Sequence, residues 1–141
     1  MEPSKLPFDF AQGVLSARGP LVSADGKDWK AEEIEKLFPP LGYFTAVLDG
    51  SLARDKRTLL CALAAALKFP SYFGHNWDAL LDCMRSLPEF APAKGYALII
   101  KNSGRLLADS PEDRDTFNDI AVTAADFLNE SYKTPLKIIM L

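Results

Sequence analysis

Three apolar runs of strand length limit what this chain can fold into more than any other feature. They are YFTAVLD at 43–49, YALIIK at 96–101 and LKIIML at 136–141. Helical patterns lie between them. DKRTLLCALAAAL sets leucines, alanines and a cysteine at helical spacing, and NWDALLDCMRSL does so again. SPEDRDTFNDIAVTAADFLNE opens with a serine, a proline and acids, which suit the start of a helix. Strands separated by helices need crossover connections, so they run parallel. Short strands that are apolar at nearly every position are those buried on both faces. The expected fold is α/β, a small three-stranded parallel sheet covered by helices.

The 141 residues amount to one domain with enough chain to bury a core. The sharpest punctuation is Pro39-Pro40, which stops the helical AEEIEKLF. Residues 1–41 therefore read as an N-terminal extension to a domain spanning 42–141. Within the extension, residues 1–19 have weak periodicity and read as a docked or poorly structured arm. LVSADGKDWK reads as a short hairpin turning at Asp25-Gly26, and Phe8, Phe10 and Trp29 as anchors on the core.

The net charge of −3 argues against a broad basic surface for nucleic acid. Its distribution is uneven. Residues 70–130 hold ten acidic side chains against five basic, a net −5, so this segment sets the sign of the molecule. An acidic face favours a basic partner. The two cysteines, Cys61 and Cys83, have neither disulfide-framework nor zinc spacing, and point to a reducing cytoplasm. The first residues lack the apolar core of a signal peptide. The longest apolar stretch, Leu59 to Leu67, is too short for a bilayer, so no membrane partner is expected.

The stretch SYFGHNWDALLDC, residues 71–83, carries the densest set of functional residue types. On a helix from about Asn76 to Leu87, Ala79, Leu80, Cys83, Met84 and Leu87 form an apolar stripe, with Asp78, Leu81, Asp82 and Arg85 opposite. Asp78 falls in the first turn, near the positive end of the helix dipole. Asp82 is spaced to pair with Arg85, and repels Asp78 by a few tenths of a kcal/mol, about what the Arg85 pair returns. Stability alone leaves three readings open: a solvated face, a His75–Asp78–Asp82 metal or acid-base site, or an acidic surface held for a partner. No second histidine completes a metal set. Tyr72, Phe73 and Trp77 either anchor the loop or serve as contact residues.

The residues around the aspartates are more specific than their spacing. From Pro70 to Asp82, nine of thirteen positions fall into one pattern: Pro70, Tyr72, Phe73, Gly74, Asn76, Asp78, Ala79, Leu80 and Asp82. This resembles the signature of the barstar family, intracellular inhibitors of secreted bacterial ribonucleases. The likeness in element order runs from about Gly42 to Leu141 and leaves out residues 1–41.

The resemblance implies an acidic loop and helix that plug a cationic ribonuclease active site. Asp82 would take the place of a substrate phosphate, and Asp78 would meet the enzyme's basic groups. Tyr72 would pack on the catalytic region, and Gly74 and Asn76 would shape the loop. Phe73, His75, Trp77 and Leu81 complete the expected contact set; the best-known family member has tryptophan at the Leu81 position. A further acid on the later helix is expected to contribute, with Asp126 the candidate and Glu130 another. No catalytic residue, metal or cofactor is implied. The partner would be a small basic ribonuclease or similar toxin protein. A non-ribonuclease partner on the same scaffold, or a His/Asp-based enzyme, is the alternative.

Overall fold

Local chemistry starts the main helices where the sequence places them. Asp55 accepts a hydrogen bond from the Thr58 backbone N–H at 2.9 Å, while Thr58 Oγ1 accepts one from the Asp55 N–H at 3.2 Å. This reciprocal cap opens α3, Lys56–Ala66. Asn76 opens α4, Trp77–Arg85. Ser86 ends α4, and the short α5, Leu87–Phe90, follows with its proline in the first turn. The longest helix, α6, Glu112–Tyr132, has Glu112, Asp113 and Asp115 at its positive end and Lys133 in a left-handed conformation after its last turn.

In the computed structural model, which describes residues 7–24 and 30–141 with side chains from residue 10 onward, these helices cover a parallel sheet. Its strands are β1, Leu21–Ser23; β2, Tyr43–Asp49; β3, Gly95–Lys101; and β4, Leu136–Met140. The order is β1-β4-β3-β2 and every pairing is parallel. The sheet therefore has four strands, not the expected three. The additional strand comes from the extension, where Leu21 to Ser23 lie in register with Ile138 to Met140. The hairpin read into LVSADGKDWK has its turn, Asp25-Gly26, outside the described residues. The part that is described pairs in parallel with β4.

Two helices precede β2: α1, Pro7–Ser16, and α2, Ala31–Glu35. The N-terminal arm is thus helical over much of its length. Side-chain alternation divides the core between the two sheet faces. Ala46, Leu48, Leu98, Ile100 and Ile138 face α3, α4 and α6, meeting Leu59, Leu63, Leu80, Met84, Phe117 and Leu128. Ala97, Ile99 and Ile139 face the other way, onto Val14 of α1, Ile34 of α2 and Phe38. Phe10 also packs on this second cluster, whereas the Phe8 and Trp29 side chains lie outside those described.

Polar contacts fasten the extension to β4. Lys137, only 7% exposed, donates from Nζ to the carbonyls of Ala17 at 2.8 Å and Gly19 at 2.9 Å. Burial lowers its pKa. At the opposite end of the strands, Asp49 Oδ1 accepts from Asn102 Nδ2 at 2.9 Å and from Ser51 Oγ at 2.7 Å. These hydrogen bonds hold its carboxyl at a pKa of about 2. Among the described residues, no helix is long and apolar enough to cross a membrane.

Candidate functional site

The segment from Phe69 to Arg85 is a loop fixed at both ends to the core, with an acidic helix leaving it. A turn closed by the Phe73 N–H on the Pro70 carbonyl, 3.0 Å, separates two adjacent aromatics. Tyr72 projects from it, 77% exposed, while Phe73 is buried at 6%. Phe73 packs on Phe69 with ring centroids 5.0 Å apart, and Phe69 meets Phe90 edge-on. Phe73 is therefore the loop's anchor rather than an exposed contact. Tyr72 is the exposed aromatic of the pair.

His75 takes a left-handed backbone conformation, φ 51°. Its ring packs at a tilt on Phe73, centroids 4.7 Å apart, and Nδ1 lies 3.1 Å from the Phe73 carbonyl. Asn76 then links loop to helix with one amide. Its Oδ1 accepts from the Ala79 N–H at 2.8 Å and its Nδ2 donates to the Gly74 carbonyl at 3.2 Å. A Cβ on Gly74 would approach that same Nδ2 to 3.2 Å, so the position is tight. These contacts fix the loop's shape from within the chain.

On α4, Leu80, Cys83 and Met84 are buried, as the apolar stripe requires. Burial, with the nearby Asp82 charge, raises the Cys83 thiol pKa, which keeps it protonated and poorly nucleophilic. Trp77 and Leu81 are half-buried against the main core. Asp78 and Asp82 are both exposed. The expected Asp82–Arg85 pair is absent, because Arg85 turns toward α6 and lies 5.6 Å over the Phe127 ring. Among the described residues the ion pair is Arg54–Asp109, on another part of the surface. The two aspartates thus stand one turn apart on the solvent-facing side of α4, and neither forms an ion pair among the described residues.

The structure brings Tyr72, Gly74, His75, Asn76, Trp77, Asp78, Leu81 and Asp82 into one continuous strip. Asp126 is exposed on α6 but lines a separate hollow with Gly19, Pro20, Asn129 and Lys137. Among the described residues, no group of three or more His, Cys, Asp or Glu side chains is placed to hold a metal ion.

Residues 43–140 match the family model described as Barstar (barnase inhibitor). The chain belongs to the barstar family. The match opens at the first residue of β2 and closes at the last of β4, leaving α1, β1 and α2 outside it. The barstar family is one of inhibitors rather than enzymes. No curated protein matches this sequence. Sequence reasoning missed one neighbour of this barstar-family strip, a basic hollow beside His75 formed by the start of α3. Its signal was present as DKRT, where two cations follow a capping aspartate.

Proposed function

We propose that this protein inhibits a small basic ribonuclease by laying the Tyr72–Asp82 strip across its cationic active site. The observation that carries the reading is the exposed, unpaired Asp78–Asp82 stack on α4. Like charges one turn apart repel in the free protein, and cations built to bind RNA phosphates would relieve that repulsion through charge-assisted hydrogen bonds. Asp82 acts as the phosphate mimic, Asp78 as its companion and Tyr72 as the aromatic contact. Phe73, Gly74, His75 and Asn76 hold the loop in shape, with Trp77 and Leu81 at its edge and Asp126 as a peripheral acid.

In this reading residues 42–141 form the inhibitory unit and residues 1–41 its support. The protein serves in a bacterial cytoplasm as immunity against a secreted or toxin ribonuclease. The two free thiols, Cys61 and Cys83, suit that reducing compartment.

Titration against a small basic microbial ribonuclease tests the proposal. Inhibition should reach completion at a one-to-one ratio. Asp82→Ala should weaken binding about 100-fold or more, a size taken from charged hot spots that include the barstar family's own. Native-like affinity in Asp82→Ala would sink the phosphate-mimic role.

A further inference from the structure

A hollow of about 550 Å³ opens beside the acidic strip. Its walls are His75 from the loop and Lys56, Arg57, Leu60 and Cys61 from the start of α3. Asp55 also borders it, but its carboxylate is engaged in the helix cap, accepting from Thr58 N at 2.9 Å and Thr58 Oγ1 at 2.8 Å. That carboxylate stays ionised and feels the Arg57 charge, but the two cations outnumber it, so the hollow is basic on balance.

Lys56 and Arg57 occupy the first turn of α3, where the helix dipole disfavours cations. Neither forms an ion pair among the described residues. Lys56 Nζ instead lies 5.4 Å over the ring of Trp77, the residue that opens α4. Two cations outside any ion pair thus flank Trp77 and His75, the residues that lead into the acidic helix. A surface meant only to be acidic has no use for that pair. Its floor of Leu60 and Cys61 offers apolar contact to the stem of an inserted side chain.

We propose that this hollow is a second, basic half of the partner interface, and that it receives an aspartate or glutamate from the rim of the ribonuclease's cationic cleft. The inference rests on the inhibitory reading above. The partner's surface is then two-signed: cations for Asp78 and Asp82, and a carboxylate for Arg57 and Lys56. Arg57 suits a carboxylate because its planar guanidinium can donate two parallel hydrogen bonds. The arrangement also selects among ribonucleases, since one lacking that acid, or carrying a cation there, would meet like charge.

Charge reversal at Arg57 separates this proposal from a purely acidic plug by the sign of the effect. Arg57→Glu makes the surface more negative, so a plain acidic plug would bind a basic ribonuclease equally well or more tightly. The two-signed interface predicts the opposite, a Kd raised about tenfold or more. Calorimetric titration of the full chain against the small basic ribonuclease it inhibits reads the difference, with Lys56→Gln/Arg57→Gln as a charge-removing companion that should weaken binding in the same direction. Folding is not at stake: Arg57 is exposed, and a glutamate in the first turn agrees with the helix dipole. Unchanged or tighter binding by Arg57→Glu overturns the proposal. If Asp82→Ala weakens binding in that same series, the inhibitory reading survives alone. If Asp82→Ala is also neutral, or the native chain inhibits no such ribonuclease, both fall together.

Discussion

Lys137→Met tests how the extension is held. The ammonium donates two short hydrogen bonds, 2.8 and 2.9 Å, to carbonyls just past the end of α1. Hydrogen bonds to a charged group are worth about 1.5–3 kcal/mol each, so their gross loss is about 3–6 kcal/mol. Two effects offset most of it. Removing a buried ammonium recovers a desolvation cost of several kcal/mol. The half-buried Ala17 and exposed Gly19 carbonyls can also turn to water. Methionine keeps the length and apolar stem of the lysine. The net expectation is a loss of about 1–2 kcal/mol, a fall in Tm of roughly 3–8 °C. Urea denaturation at neutral pH measures the first number and a thermal scan the second.

Titration supplies an independent check on the desolvation cost of the buried ammonium. Burial lowers the folded pKa of Lys137 below its ordinary 10.5, so the unfolded chain binds the proton more readily. Stability then rises with pH between the folded value and 10.5. The difference between native and Lys137→Met stability should shift upward with alkaline pH. Half-buried Tyr43 and buried Tyr96, whose pKa values are raised by desolvation, pull the other way in both proteins and cancel in the difference. Native stability in Lys137→Met would refute the argument that this ammonium fastens the arm, and a difference flat in pH would refute the desolvation cost.

Two further substitutions probe the ends of the sheet and the loop. Asp49 has a folded pKa of about 2 against an ordinary 3.8, so its contribution is complete above the ordinary value and is lost as acid carries the pH down through about 2; Asp49→Asn should flatten that part of the acid-unfolding curve, followed by circular dichroism. Asn76→Ala removes the cap of α4 and the tether to the Gly74 carbonyl, and should cost about 1 kcal/mol in urea denaturation, with faster amide exchange at Ala79.

Features written into local chemistry were legible in the sequence. The apolar runs became β2, β3 and β4 because strands covered by helices are apolar at most positions. Asn76 before Asp78 and Pro111 before Glu112 announced helix starts. What failed to show depended on contacts distant in sequence. Three residues, LVS, carry no period, and only their register with Ile138 to Met140 makes them a strand. Arg85 has an aspartate at pairing distance along the helix, yet Phe127 on another helix takes its guanidinium. Tyr72 and Phe73 are neighbours of similar chemistry, and one turn sends the first to solvent and the second to the core. The family pattern could name the positions without assigning those fates.

The brevity of β1 has a consequence for self-association. Without it β4, buried from Leu136 to Ile139, would form the rim of the sheet with its backbone donors and acceptors open to another chain. Such a rim is a template for edge-to-edge aggregation. Three residues satisfy most of β4, with the Ala24 N–H reaching the Met140 carbonyl at 2.7 Å and the Ile138 N–H reaching Pro20 at 2.7 Å. They also leave a new rim too short, and too polar at Ser23, to recruit a further strand. The segment outside the family match thus works as a terminator of sheet growth.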